Sequence, residues 1–159
     1  MMTHTALIRA ALTLSALGSI STVAAYCNAR YGYCIAVPNN LYPQGESDNS
    51  DGQVFLSRDA KMTLRVWGAM DISEASYGDQ FNEGSRGWPA SPGRPARVVT
   101  YKRFSPAFFV ISGVENGKVF YQRTIFNKRE QIYATYLFTY PDGSNADAAI
   151  KNFGSTFHF

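Results

Sequence analysis

Nucleophilic and metal chemistry usually lean on histidine, and this sequence holds two, His4 and His158. His4 lies in an N-terminal stretch that reads as a leader. His158 is one residue from the C-terminus, where a side chain is hard to hold rigid. A Ser-His-Asp or Cys-His site needs its base oriented by a third group, so the parts for one are missing. Cys27 and Cys34 are the only thiols. Their even count in an exported chain favours a disulfide over a redox or metal pair, and the spacing is not Cys-x-x-Cys. Closing so short a loop gives about 2.5 kcal/mol on the chain-entropy account. No metal site and no cofactor is expected.

Carboxylates are the remaining catalytic currency. A glycosidase-type pair needs two acids facing each other across a cleft, but Glu46, Asp48, Asp51, Asp59, Asp79 and Glu83 fall in loops or a helix and read as solvated charge. Asp48 and Asp51 lack the spacing and terminal glutamate of a calcium loop. The glycines between Gly84 and Gly93 form neither a P-loop nor a dinucleotide fingerprint. Two basic pairs, Lys102-Arg103 and Lys128-Arg129, sit in or beside turns, either at one end of a sheet or at opposite ends. The formal net charge is +3, of which Arg9 supplies one, too little to imply nucleic acid.

The most suggestive segment is Arg86 to Arg94, which sets Trp88 among prolines between two arginines. Tryptophan and arginine dominate binding hot spots, and prolines order a loop in advance, so less entropy is lost on docking. Arg86, Trp88 and Arg94 are therefore the candidate binding residues. The plainer alternative is a crossover whose tryptophan plugs the edge of the core. Trp67 with Arg65 forms a second candidate, better suited to packing beneath a helix.

Residues 1–25 resemble a secretory signal peptide. Arg9 gives the basic start, Ala10 to Leu17 the apolar centre, and Val23 and Ala25 the −3 and −1 positions of a cut before Tyr26. The apolar run is broken well short of the ~18–20 residues of a membrane span. Tyr26 before Cys27 argues against a lipoprotein signal. Residues 26–159 then suit one domain with one core, working in the periplasm or outside the cell.

Strand signals begin at Tyr31 to Val37, ended by Pro38. Gln44 to Gly52 reads as a polar loop. Gln53 to Ser57 and Met62 to Gly68 flank a turn at 58–61, with Met62, Leu64 and Val66 on one face. A helix capped by Ser73 runs to about Glu83, and Gly84 to Pro95 has too many prolines and glycines to be regular. Ala96 to Phe104, Ala107 to Val114, Lys118 to Phe126 and Gln131 to Tyr140 form a four-stranded antiparallel meander, with Asn116-Gly117 as its strongest turn signal. Neither face of the last strand is strongly polar, so both should be covered. The closing helix presents Ala146, Ala149, Ile150 and Phe153 at helical spacing, with Ser144 and Asp147 as a capping box and Gly154 as its stop. The expected fold is an α+β sandwich of two or three layers.

This order of strand, hairpin, helix, meander and closing helix resembles the Mog1/PsbP-like fold, as do Tyr31-Gly32-Tyr33 before Pro38 and Asp51-Gly52 before the hairpin. The resemblance implies a binding or accessory role and carries no catalytic residues with it. The expected function is docking to another exported protein or envelope component, such as an immunity-type inhibitor or an accessory factor. A carrier of a small apolar or sugar-like ligand is the alternative, and a carboxylate hydrolase is a third. Docking calls for an exposed, convex 86–94 loop. A carrier calls for a concave aromatic pocket between sheet and helix.

Overall fold

The computed structural model describes residues 24–71 and 77–159. The predicted leader, apart from its last two residues, and the predicted Ser73 cap lie outside them. The chain forms β1 (Ala24–Cys27), β2 (Cys34–Val37), β3 (Leu41–Glu46), β4 (Gly52–Ser57) and β5 (Thr63–Met70). Helix α1 (Tyr77–Gly84) follows, then β6 (Arg97–Phe104), β7 (Phe108–Glu115), β8 (Lys118–Asn127), β9 (Ile132–Pro141) and α2 (Asp147–Thr156). Strands β3 to β9 make one seven-stranded sheet in the order β3-β4-β5-β9-β8-β7-β6, antiparallel throughout, beside a β1-β2 hairpin. This is the α+β sandwich, hairpin and meander joined through β5 and β9.

Strand alternation gives the sheet two dissimilar faces. On one, Leu64, Val66, Ala134, Tyr136 and Phe138 are buried beneath α2, whose Phe153 lies 5.5 Å from the Tyr136 ring and 5.2 Å from Phe138. Phe157 and Tyr33 extend that cover toward β2. On the other face α1 lays Tyr77 flat on Phe126 at 5.1 Å and sets Phe81 against Phe104 and Phe109. Tyr77 Oη donates to the Thr124 carbonyl at 3.0 Å, and Thr124 shares a buried hydroxyl contact with Thr135 at 2.8 Å. The helices therefore make three layers, and both faces of β9 are covered as its composition requires.

Four local expectations are corrected. Tyr31-Gly32-Tyr33 is a turn, and the strand starts at Cys34, because Gly32 takes φ +71° and Tyr33 closes back onto Asn28. Gln44 to Glu46 is the end of an edge strand, bulged between Pro43 and Glu46. The capping box does not form. Ser144 Oγ donates to the Pro141 carbonyl at 2.7 Å, and α2 starts from Ala146 with no side-chain cap. Gly154 does not stop α2, which runs to Thr156 because Phe153 and Phe157 anchor its last turn in the core.

Cys27 and Cys34 are bonded and stand opposite each other in the β1-β2 register. Buried Asn28 ties this hairpin to the 47–52 loop, donating to the Ser50 carbonyl at 3.0 Å. That loop turns on Asp51, whose carboxylate accepts from Ser47 Oγ at 2.5 Å and Asn49 Nδ2 at 2.8 Å. These bonds, the Ser47 one foremost, hold the Asp51 carboxyl below its ordinary value. A depressed carboxyl stabilises the fold above the unfolded value, near 4, and that contribution is lost as pH falls through the folded value. Acid titration of the folding equilibrium below about pH 4 is expected to be steeper for the native chain than for Asp51→Asn. Equal slopes would show that the loop does not sense this proton.

Candidate functional site

Helix α1 ends at Gly84, and its last turn is closed by the Ser85 amide on the Phe81 carbonyl at 2.9 Å. Gly87 then approaches β6 so closely that a Cβ there would sit 2.3 Å from the Arg97 carbonyl oxygen, at a φ of +64°. Only glycine fits. That approach lets Trp88 pair with Arg97 through reciprocal backbone hydrogen bonds of 3.0 and 2.9 Å. The chain reverses at Pro92-Gly93, where Ser91 and Arg94 exchange backbone bonds of 2.9 Å. The 85–96 segment has no regular strand, yet two backbone bridges pin it.

The Trp88 indole is clamped from several sides. Its Nε1 donates to the Pro95 carbonyl at 3.0 Å. The Arg94 guanidinium lies 3.9 Å from the ring centroid and that of Arg97 lies 4.5 Å away. Arg97 continues the stack onto Phe120 at 4.4 Å, and its Nε and Nη2 donate to Glu115 Oε2 at 2.9 and 2.5 Å. The Arg97 and Glu115 side chains are only 9% and 22% exposed, so this ion pair is largely withdrawn from water. Trp88 is half-buried, while Arg86 and Arg94 are exposed.

Arg86, Trp88 and Arg94 are brought together. With Glu83 of α1 and Tyr133 of β9 they line an open groove of about 640 Å³. Residues 89–95 of the segment are exposed, as the docking reading expects of the loop. The segment forms one wall of this groove, and Trp88 also covers the start of β6 at Arg97, whose guanidinium carries the stack on to Phe120. Burial holds the Tyr133 hydroxyl above its ordinary value. Sequence reasoning missed Arg97 and Glu115, whose pairing depends on a register that shifts between Val99 and Tyr101. The Asn116-Gly117 turn, which pairs Glu115 with Lys118, was the one usable signal.

Two further concavities flank the sheet. Arg65 and Trp67 line a groove of about 330 Å³ together with Glu46, Ser47 and Asp51. Val37, Leu41, Tyr42 and Phe55 line a more apolar one of about 440 Å³, walled by Ala24 to Tyr26. The space between sheet and α2, where a carrier's pocket was expected, is filled by Tyr136, Phe138, Phe153 and Phe157, all 5% exposed or less. The two basic pairs lie toward the same end of the sheet, since the Phe126 amide donates to the Ala107 carbonyl and sets the 105–107 and 128–131 turns side by side. Among the described residues no three His, Cys, Asp or Glu side chains converge as metal ligands, and no helix is long and apolar enough to cross a membrane.

A seven-stranded antiparallel sheet between two short helices, with a disulfide-closed hairpin beside it, defines a small scaffold of the Mog1/PsbP type. The solution structure of cyanobacterial PsbP (CyanoP) from Synechocystis superposes with a TM-score of 0.61 at 13% identity, over 92% of this chain and 96% of that one. The Saccharomyces cerevisiae Ran-binding protein Mog1p superposes with a TM-score of 0.58 at 8% identity, over 87% and 95%. At such identities the likeness is one of fold. No protein-family model matches the sequence, and no curated protein matches it.

Proposed function

We propose that this is an exported, non-catalytic docking protein of the periplasm or the extracellular space. It binds another envelope or secreted macromolecule through the groove between α1 and the 85–96 segment. The observation that carries this reading is the Arg94–Trp88–Arg97 stack, in which hot-spot residue types are held in place before any partner arrives. The leader-like N-terminus and the disulfide support export. The fold supports a binding role by analogy, Mog1p being a Ran-binding protein. An inhibitor of a secreted enzyme or an envelope accessory factor is the concrete form.

A hydrolase needs one carboxyl kept protonated. Asp51, held below its ordinary value foremost by Ser47, and Asp59, held there foremost by Ser57, are unsuited to that acid role. The carrier reading retains one observation, the apolar groove beside β1 to β4.

The test is affinity capture from envelope extract with residues 26–159, run beside Trp88→Ala. A defined partner is expected with the native chain, weakened about tenfold or more in the variant, as hot-spot truncations commonly do. Circular dichroism checks that the variant is folded. Equal capture by both chains moves the site away from the groove. No partner with either sinks the docking reading.

A further inference from the structure

The large sheet ends on β6, and Trp88 covers the outer edge of that strand only at Arg97. From Val98 to Phe104 the edge meets no other strand among the described residues. The ladder fixes which groups face outward. The Ser105 amide donates to the Phe108 carbonyl at 2.9 Å, and the register pairs Phe104 with Phe109 and Lys102 with Ile111. Alternation of bonded and non-bonded pairs therefore turns the N–H and C=O of Lys102 and Phe104 away from β7. A free edge of this kind is a template for strand addition.

Charge decides what it can accept. Arg103 and Arg123 flank Val110 in register on one face. Both guanidiniums lie over the Phe108 ring, at 5.6 and 4.3 Å from its centroid. Arg123 Nη1 donates to the Gly154 carbonyl at 3.1 Å, but its Nε is buried with no hydrogen-bond partner. Among the described residues none of Lys102, Arg103 and Arg123 is in an ion pair. Lys128 and Arg129 add positive charge at the same end of the sheet. Tyr101, 51% exposed, supplies apolar area next to Arg103, and Val98 and Val114, 58% and 44% exposed, continue it toward the other end of β6.

A second copy of the chain pairing edge to edge would bring Lys102 and Arg103 against like charges, which is unfavourable across a strand pair. A carboxylate, by contrast, answers two guanidiniums through charge-assisted hydrogen bonds. We propose that the β6 edge accepts, by strand addition, an extended acidic segment of a partner protein. One of its carboxylates is seated between Arg103 and Arg123 over Phe108. This surface is separate from the Trp88 groove, so it stands or falls independently of it.

The test uses the purified disulfide-bonded protein and a fluorescent peptide of about ten residues alternating glutamate with valine, which places every glutamate on one strand face. Its lysine counterpart and a single-stranded oligonucleotide of similar length are run beside it. Only the glutamate peptide is expected to bind, and more weakly as salt rises. On binding, the amides of Lys102 and Phe104 should exchange with solvent about tenfold more slowly. Arg103→Glu is expected to weaken binding about tenfold or more, while Lys151→Glu on the exposed side of α2 leaves it unchanged. Arg103 is exposed, so its variant retains the fold. Equal affinity for the lysine peptide, binding of the oligonucleotide, protection on other elements, or no binding at all each overturns the proposal.

Discussion

Glu115→Gln is expected to lower the unfolding free energy by about 3 kcal/mol and to loosen Trp88 with it. The Arg97 guanidinium is the reason. It is sandwiched between Trp88 and Phe120 and is 9% exposed, with both its Nε and Nη2 spent on one Glu115 oxygen. Among the described residues its only other side-chain hydrogen bond is a longer one to Gln122 Oε1 at 3.4 Å. Removing one partner of a buried pair leaves an uncompensated charge, which costs about 3–5 kcal/mol. The lower end applies because Glu115 retains some solvent contact. A neutral amide keeps the shape but not the charge, so the arginine gains by swinging toward water, and Trp88 loses one of its two stacking partners. Tryptophan fluorescence should shift to the red, and partner capture should weaken as in Trp88→Ala.

The double variant Arg97→Met with Glu115→Leu separates stability from site geometry. Replacing both charges with apolar groups of similar size is often neutral, so the double variant should recover most of the lost stability. It should not restore capture, because the cation that seats the indole is gone. If the single and double variants are equally unstable, the ion pair is not the keystone of the site and the stack is incidental.

How much of this was readable in advance depended on how local each determinant is. The meander was legible because its turns are local. Asn116 and Gly117 adopt φ +52° and +70°, the left-handed pair that a tight hairpin demands, and the pairing of Glu115 with Lys118 follows. Edge strand β3 was hidden because Pro43 and Gly45 are turn residues by propensity. An edge is also where proline is tolerated, its missing amide costing no ladder bond. The Ser144 cap failed for a local reason that propensity does not rank, since its hydroxyl closes a turn onto the Pro141 carbonyl three residues back, at the end of β9.

The candidate site was legible as a composition and not as a geometry. Arg86, Trp88 and Arg94 stood out by type, and they do converge. Their partner Arg97 lies beyond a register shift that no local pattern encodes. The same shift separates Arg97, capped by Trp88, from the free stretch at Lys102 and Phe104.

Phe153→Ala is expected to cost about 3–5 kcal/mol, the range for deleting a fully buried aromatic. Phe153 is 0% exposed and wedged against both Tyr136 and Phe138. Helix α2 has ten residues, below the ~12–15 at which an isolated helix becomes even marginal in water, so packing holds it. Its loss propagates in two directions. The C-terminal tail pairs with β2 through Cys34 and His158, by backbone bonds of 2.8 and 3.1 Å, and that pairing depends on where α2 ends. Arg123 depends on α2 as well, because Gly154 supplies the carbonyl that orients its guanidinium. Hydrogen exchange should therefore accelerate in α2, in β2 and in the tail before it does in the β7-β8 hairpin. Binding of the glutamate peptide should weaken even under conditions where circular dichroism still reports a folded sheet. Uniform acceleration across all elements would mean that α2 and the sheet unfold as one unit, and the inferred link from Phe153 through Gly154 to Arg123 would be lost.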